Sequence, residues 1–166
     1  MTETIKVGFK RLNDSAIIPT KAYPTDSGFD LCASKDVIIG PGETAVVPTG
    51  IAVELPPGYE AQVRPRSGIT AKTKLRVQLG TIDNEYRGEI GVIVDNIARY
   101  GLGVDYYSFY DCDTEWGAYK IRKGDRIAQL VIQPIPTVEA YEVDGELKET
   151  DRGEGGFGSS GVREDD

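Results

Sequence analysis

The sequence has 166 residues, a formal net charge of −8, two cysteines and no histidine. This length fits one domain with its own core, and an acidic chain repels phosphate backbones, which argues against general nucleic-acid binding. Without histidine the chain cannot form Ser–His–Asp or Cys–His nucleophilic sites or the common zinc sites. Any general base must therefore be Asp, Glu, Tyr, Lys or Cys, and any metal must be a hard ion held by oxygen.

Targeting signals and cysteine chemistry are also constrained. The chain has no apolar run of about 18 residues that could span a membrane, and its first residues lack the apolar stretch of a signal peptide. We therefore expect a cytoplasmic protein with no membrane partner. Cys32 and Cys112 form no CxxC pair, and two buried thiols are favoured over a metal or redox pair.

Short apolar or alternating runs, separated by turn residues, predict strands. In chain order these runs are residues 5–10, 37–39, 43–47, 51–55, 60–63, 74–78, 89–94 and 127–132. Gly and Pro at 40–42 and 56–58, and Lys-Gly-Asp at 123–125, predict turns. The best helical segment, Ser67–Lys72, is short. Many closely spaced strands with one short helix predict an all-β sandwich or jelly roll.

Two segments differ in composition from the rest of the chain. Residues 95–120 are rich in Tyr, Asp and Gly and predict an inserted loop or hairpin, whereas residues from Asp151 onward are rich in Gly and Ser. We therefore expect a β domain over residues 1–150, with an insert at about 95–120, and a flexible carboxyl-terminal arm over residues 151–166.

Residues 64–72, Arg-Pro-Arg-Ser-Gly-Ile-Thr-Ala-Lys, combine two arginines with the start of the predicted helix. The guanidinium fork of Arg66 suits phosphate oxygens, and Ser67 and Gly68 would present backbone N–H groups to an anion. This pattern predicts a phosphate site. The alternative is a solvated turn with a capping serine.

Residues 80–89, Gly-Thr-Ile-Asp-Asn-Glu-Tyr-Arg-Gly-Glu, place a carboxylate shortly before a tyrosine, with glycines on either side. We expect a β-hairpin whose tip closes over a flat ligand. In this hypothesis Asp83 orients and deprotonates a water molecule and Tyr86 packs its ring on a sugar. The alternative is an ordinary hairpin with a surface aspartate and a half-buried tyrosine.

Two polar residues stand in or beside apolar strands. Asp30 enters a strand after a turn, and it either holds a metal ion through water or caps backbone N–H groups. Gln129 interrupts the apolar strand predicted at 127–132, so it faces either a sheet edge or a ligand.

The tail at 152–161 reads Arg-Gly-Glu-Gly-Gly-Phe-Gly-Ser-Ser-Gly. A glycine-rich loop can wrap phosphates through its backbone N–H groups, and the ring of Phe157 can stack on a base. The alternative is a disordered, low-complexity end.

These segments follow one another in a fixed order: Asp-Ser-Gly-Phe-Asp-Leu, Pro-Arg-Ser-Gly, Gly-Thr-Ile-Asp-x-x-Tyr-Arg-Gly, Gly-Asp-Arg-Ile-Ala-Gln-Leu and the glycine-rich tail. The order resembles the five motifs of trimeric dUTPases (deoxyuridine 5'-triphosphate nucleotidohydrolases) and spans residues 22–161. The resemblance implies a homotrimer of jelly-roll (β-clip) subunits whose three active sites each draw on all three chains. The implied reaction converts dUTP to dUMP and pyrophosphate by water attack on the α-phosphate, which limits uracil in DNA and supplies dUMP for thymidylate synthesis.

The resemblance also implies roles for individual residues. Asp83 matches the aspartate that activates the attacking water, Asp30 the one that assists a triphosphate-bound Mg²⁺ ion through water, and Tyr86 the tyrosine that packs against deoxyribose. The other matches contact uracil (Gly80, Thr81, Ile82 and Phe157), the phosphates (Arg66, Ser67, Gly68 and Gln129) or the γ-phosphate within the folded tail (Arg152, Gly158, Ser159 and Ser160).

Two features depart from the family pattern. Many members place an Asn shortly before the glycine that matches Gly80; residues 75–79 contain none, and Gln78 is the candidate substitute.

The segment at residues 97–120 is longer than in compact bacterial or animal members, and its aromatic residues suit a contact surface. This region resembles bacteriophage dUTPases of Gram-positive hosts, in which an insert can contact the active-site region or a protein partner such as a repressor; the location would then be the host cytoplasm. The alternative is a self-packed surface hairpin.

Three other functions fit parts of the pattern. A dCTP deaminase relative shares the fold but is not expected to carry both the Asp83–Tyr86 pair and the Phe157 tail. A regulatory protein would use the insert for binding, with catalysis secondary, and a phage structural β-protein would leave the tail unexplained. The leading hypothesis is therefore a nucleotide pyrophosphatase.

Overall fold

The structure is a computed structural model, and it describes residues 4–99 and 117–156. Within these residues the chain forms strands joined by turns and loops, with one short helix, α1. In chain order the elements are β1 Gly8–Arg11, β2 Gly28–Cys32, β3 Val37–Ile39, β4 Thr44–Pro48, β5 Ile51–Glu54, β6 Tyr59–Pro65, α1 Ser67–Lys72, β7 Leu75–Val77, β8 Gly80–Ile82, β9 Gly91–Asn96, β10 Tyr119–Ile121 and β11 Arg126–Pro134.

The strands pair antiparallel in small sheets. A four-stranded sheet has the order β2-β11-β6-β8, and a three-stranded sheet has the order β4-β9-β7. Two further pairs are β1-β5 and β10-β3. The predicted all-β fold with one short helix is confirmed, and antiparallel sheets around a shared core are typical of the jelly-roll class.

Alternation along the strands separates the core from a polar face. In β11, Leu130 is fully buried and lies opposite Val63 of β6, which is also buried. Its neighbour Gln129 points to the opposite face, as the two-residue period of a strand requires. The buried face of this sheet joins a core of branched aliphatic side chains, of which the largest fully buried are Leu31, Ile39, Ile51, Leu75, Ile90, Ile121, Ile127 and Leu130.

Most elements agree with the sequence patterns. Each predicted strand overlaps a strand of the structure, and α1 has the predicted bounds. The predicted turns contain Gly42, Gly58 and Gly124 with φ of 76°, 80° and 90°, a region in which a residue with a Cβ is strained. These glycines allow the chain to reverse direction between short strands.

The hairpin expected at residues 80–89 is wrong. β8 pairs with β6, whereas the next strand, β9, pairs with β4 and β7. The segment therefore crosses from one sheet to another. Turn signals in a sequence mark where a chain bends, but they do not specify which strand the returning chain will pair with.

The chain divides into two compact units, Met1–Pro136 and Thr137–Asp166. The first unit contains all strands of the described residues. In the second, the described part (137–156) includes a turn at 151–154, in which Gly153 N–H donates to the Thr150 carbonyl at 3.0 Å. The predicted boundary at residue 150 between the β domain and the carboxyl-terminal arm stays a prediction.

Most of the predicted insert, residues 100–116, lies outside the described residues. No helix of the described residues is long and apolar enough to cross a membrane.

Candidate active site

One sheet gathers four of the five motif segments. Asp30 lies in β2 and Gln129 in β11, while β6 leads into Arg66 and β8 leads into Asp83. The order β2-β11-β6-β8 places these strands side by side, although they are far apart in the sequence. The fifth segment, the tail, belongs to the second unit of the chain.

Asp30 and Gln129 lie on the polar face of this sheet. Gln129 pairs with Asp30 on one side and with Arg64 on the other, and paired residues of neighbouring strands share a face. All three side chains are half-buried, whereas Leu31 and Leu130 on the opposite face are fully buried. Gln129 therefore faces away from the core, as a ligand-facing residue requires.

The Asp30 carboxylate is held between two arginines. Its Oδ1 lies 3.3 Å from Arg66 Nε and its Oδ2 lies 3.5 Å from Arg126 Nη1, while the Asp30 side chain is only 11% exposed. Arg66 Nη1 also donates to the carbonyl of Arg126 at 3.0 Å. A half-buried carboxylate with two cations beside it favours an anionic ligand, because the cluster carries a net positive charge.

Arg126 belongs to this cluster but is not among the residues predicted from the sequence. It lies in the Gly-Asp-Arg-Ile-Ala-Gln-Leu motif with Gln129, and that motif is the signal that could have identified it. The register of β11 against β2 shifts between Arg126 and Ala128, and this β-bulge cannot be read from composition or periodicity.

Ser67 and Gly68 are exposed first residues of α1. The position before the helix is occupied by Arg66, which makes no side-chain capping bond. The alternative of a capping serine is therefore wrong, because Ser67 is already helical. Since no core contact explains these two exposed residues, their backbone N–H groups and the Ser67 hydroxyl remain candidates for an anionic ligand.

Asp83 and Tyr86 lie on an exposed turn after β8. Tyr86 N–H donates to the Asp83 carbonyl at 3.1 Å, and the Tyr86 hydroxyl donates to the Glu89 carbonyl at 3.0 Å. A Cβ built on Gly88 would overlap the Tyr86 hydroxyl and ring carbons. The missing side chain at Gly88 therefore allows the tyrosine ring to fold back over the chain.

A half-buried side-chain amide ties this turn to the neighbouring loop. Asn84 Nδ2 donates to the carbonyls of Pro56 at 2.7 Å and Tyr59 at 3.1 Å, with Leu55 at 3.4 Å. These bonds fix the chain next to Asp83 without using the Asp83 side chain. The turn is thus held from one side and open on the other.

We expect Asn84→Ala to lower the free energy of unfolding by about 1–2 kcal/mol, because it leaves backbone carbonyls without a partner. Chemical denaturation measures this loss, and Glu85→Ala, which truncates an exposed side chain of the same turn, is the matched control. Equal stability of the two variants would contradict the anchoring role of Asn84.

The remaining candidates of this region lie in different surroundings. Gly80 and the exposed Thr81 are in β8, whereas Ile82 is 9% exposed and belongs to the core. Gln78 is exposed, and its amide donates to the carboxylate of Asp95, which also accepts from Thr44 Oγ1 at 2.6 Å. The Gln78 side chain is thus engaged within the three-stranded sheet, and its proposed replacement of the missing Asn is not supported by this contact.

The two halves of the site lie toward opposite ends of β6. Ile82, the residue before Asp83, pairs with Ala61, whereas Arg66 follows Pro65 at the other end of the strand. Asp83 lies one residue beyond Ile82, so at about 3.3 Å per residue roughly 20 Å separates Asp83 from Arg66 along the strand. One chain therefore does not bring the predicted base and the predicted phosphate residues together.

The tail is described as far as Gly156. Arg152 Nε donates to the Gly155 carbonyl at 2.9 Å, and Gly155 N–H donates to the Arg152 carbonyl at 3.0 Å. The predicted contacts of Phe157, Gly158, Ser159 and Ser160 lie outside the described residues.

The buried thiol expected at Cys32 is confirmed. Burial raises the pKa of the Cys32 thiol, with the nearby Arg126 acting in the opposite direction. The thiol is therefore neutral near pH 7 and is a poor nucleophile. Cys112 lies outside the described residues.

The dUTPase family model matches residues 14–104 and 117–161. The chain belongs to the dUTPase family. The deoxyuridine 5'-triphosphate nucleotidohydrolase of Gloeothece citriformis is 44% identical over 163 residues, which cover 97% of this chain and 100% of the relative. The enzyme of the same name from Clostridium kluyveri is 44% identical over 155 residues, covering 92% of this chain and 96% of the relative.

Several solved structures of phage dUTPases are similar to the structure of this chain. The dUTPase of Staphylococcus bacteriophage 80alpha with dUpNHpp has a TM-score of 0.86 at 36% identity and covers 96% of this chain and 100% of its own. The dUTPase from phage phi11 of S. aureus, described with a species-specific insert, has a TM-score of 0.77 at 33% identity. The match covers 85% of this chain and 97% of the phi11 chain. A mutant of that phi11 enzyme is described with a structural Mg(II) ion. Family membership sets aside the structural-protein and deaminase alternatives.

Proposed function

We propose that this protein hydrolyses dUTP to dUMP and pyrophosphate, as a dUTP diphosphatase. The observation that carries the proposal is the Asp30–Arg66–Arg126 cluster beside Gln129, on the same sheet that leads into Asp83. It is a cluster of net positive charge in a chain whose relatives carry the name of this reaction.

The separation of Asp83 from Arg66 supports a site shared between subunits. Because roughly 20 Å divides them within one chain, a complete site needs Asp83 of one subunit near Arg66 of another. A closed symmetric assembly provides such contacts in equal number for every subunit. We propose a homotrimer with shared active sites, in which the tail supplies the third contribution.

In the proposed mechanism Asp83 accepts a proton from the water that attacks the α-phosphorus. Its exposed position on an anchored turn gives a substrate access while limiting how far the carboxylate can move. Arg66, Gln129 and the N–H groups of Ser67 and Gly68 stabilise the negative charge that develops on the phosphate oxygens. Arg152 and the backbone of Gly158, Ser159 and Ser160 bind the γ-phosphate.

The residues present fit a magnesium ion that arrives with the substrate. Among the described residues no group of three or more His, Cys, Asp and Glu side chains could hold a metal, whereas Mg²⁺ is commonly bound by one or two carboxylates together with substrate phosphates. Asp30 would assist the ion through water, and the bound ion would neutralise charge on the triphosphate. The arginines beside Asp30 disfavour a cation without the phosphates.

The proposed selectivity for deoxyribose and uracil rests on the turn after β8. Tyr86 packs against the deoxyribose, where a 2'-hydroxyl would clash, and the backbone of Gly80, Thr81 and Ile82 reads the uracil edge. Phe157 stacks on the base. The ring of Tyr86 can fill this position because Gly88 has no side chain.

We expect Gly88→Ala to reduce the preference for dUTP over UTP, measured as the ratio of kcat/KM values, by about ten-fold. The added methyl group overlaps the Tyr86 hydroxyl and forces the ring to move. Gly8→Ala is the control, because its Cβ would lie 3.4 Å from the Glu54 Cβ, an ordinary contact. An unchanged ratio in Gly88→Ala would contradict the steric role of Tyr86.

Release of pyrophosphate from dUTP, dTTP, dCTP and UTP, with Mg²⁺ and with EDTA, tests the proposed function. A preference for dUTP of at least about 100-fold, with lower activity in EDTA, is expected. Equal turnover of dTTP or dCTP would reject the assignment.

A protein partner at the insert, residues 97–120, is a secondary proposal, as is a cytoplasmic location. The family model leaves residues 105–116 unmatched, and the phage 80alpha dUTPase is described as controlling transfer of virulence genes. A primarily regulatory role is not favoured, since the curated relatives carry the name of the enzyme.

A further inference from the structure

Arg126 lies on the Asp30 face of the sheet because of a β-bulge. Arg126 pairs with Cys32 and Ala128 pairs with Leu31, so that Ile127 is an extra residue between two consecutive partners. The bulge buries both Ile127 and Ala128, and it leaves Arg126 on the same face as Asp30. Bulges commonly redirect a side chain in this way next to functional sites.

Asp30, Arg66 and Arg126 form a closed ring of contacts, one of which is made to a backbone carbonyl. Asp30 Oδ1 contacts Arg66 Nε at 3.3 Å, Arg66 Nη1 donates to the Arg126 carbonyl at 3.0 Å, and Arg126 Nη1 contacts Asp30 Oδ2 at 3.5 Å. Each carboxylate oxygen therefore has its own cation. Arg66 meets Asp30 through a single nitrogen, and its guanidinium has more N–H donors than these contacts use.

Stability alone gives little reason for the Arg126 ion pair. The Arg126 side chain is 58% exposed, against 31% for Arg66 and 11% for Asp30. An ion pair with so exposed a partner is screened by water and adds little to folding. Its geometric effect on Arg66 is larger, because an unrestrained carboxylate prefers a two-pronged contact with a guanidinium.

We propose that Arg126 is a positioning residue that keeps Asp30 from binding Arg66 through both oxygens, so that Arg66 retains free N–H donors for a phosphate group. Without Arg126, the Asp30 carboxylate turns onto Arg66 and competes with the phosphate. Arg126 thus acts on the substrate through Asp30. The inference rests on the proposed function, since it concerns binding of the dUTP phosphates.

A double-mutant cycle separates this role from direct phosphate binding. Binding of dUpNHpp is measured by calorimetry in EDTA and again with Mg²⁺, for the parent, Arg126→Gln, Asp30→Asn and the double variant. We expect Arg126→Gln to weaken binding about ten-fold in the parent, and less than about two-fold in the Asp30→Asn background, where no carboxylate competes for Arg66.

Equal weakening in both backgrounds would overturn the proposal and assign Arg126 to direct phosphate contact. Arg11→Gln, which removes an exposed arginine of β1, controls for net charge and should bind as the parent does. Arg126→Lys keeps a cation near Asp30 Oδ2 and should recover most of the affinity; binding as weak as in Arg126→Gln would also count against the proposal. If the parent itself fails to bind dUpNHpp, the proposed function fails; if the parent and Arg126→Gln bind equally, only the positioning role fails.

Discussion

Asp83→Asn is expected to lower kcat for dUTP by about 10³-fold and to change the Kd of dUpNHpp by less than about three-fold. An amide has nearly the shape of a carboxylate but cannot accept the proton of the attacking water. The turn itself should survive, because its anchor is the Asn84 amide and not the Asp83 side chain. Steady-state kinetics and calorimetry give the two quantities on the same sample.

The matched control for this prediction is Asp14→Asn, which removes the same charge from an exposed position outside the proposed site. It should leave both kcat and Kd unchanged. Turnover by Asp83→Asn within about ten-fold of the parent would remove Asp83 as the general base, since loss of a general base costs about 10²-fold or more. The candidate would then have to be sought among the other carboxylates of the chain.

Deletion of residues 152–166 is expected to lower kcat/KM by about 10²-fold or more while shifting Tm by less than about 2 °C. The tail is proposed to close over the loaded site, excluding water and orienting the phosphates. Its described residues, 152–156, are exposed or half-buried, and their hydrogen bonds are local. Their removal therefore exposes no core.

A shorter deletion, of residues 162–166, controls for chain length and for the charges of the extreme end. It keeps the whole glycine-rich motif and should retain at least about half of the parent activity. Full activity of the longer deletion would show that the tail is not a lid. A fall in Tm of more than about 10 °C would instead assign the tail a role in folding.

Much of the fold follows from local patterns in the sequence. The apolar run at 127–132 predicts the strand that buries Leu130, and the polar Gln129 within that run points to the opposite face. Glycine at positions such as Gly58 and Gly124 predicts turns, because the positive φ there suits glycine. The six residues of α1 were also predicted with the bounds that the structure shows.

What the sequence does not specify is mainly pairing between distant strands. Nothing local indicates that β8 pairs with β6 while β9 joins another sheet, so the turn residues around Asp83 and Tyr86 predict a hairpin that the structure does not form. The contact of Arg126 with Asp30 depends on a bulge, and the engagement of Gln78 by Asp95 depends on the β7-β9 register. Such contacts depend on the packing of the whole domain, and no periodic pattern in the sequence indicates them.

In the candidate site, too, the residue types could be predicted from the sequence but their spatial arrangement could not. The residue types indicated phosphate chemistry without histidine, and five ordered motifs indicated the family. The distance between Asp83 and Arg66, however, appears only once β6 and β8 are seen to run antiparallel. The separation of these two residues within one chain supports active sites that are shared between subunits.

Hydrolysis of dUTP in H₂¹⁸O tests most directly whether water attacks the α-phosphorus. Mass spectrometry of the products after a single turnover should find one ¹⁸O atom in dUMP and none in pyrophosphate. Label in pyrophosphate, or release of orthophosphate with dUDP, would place the attack at another phosphorus and contradict the proposed mechanism.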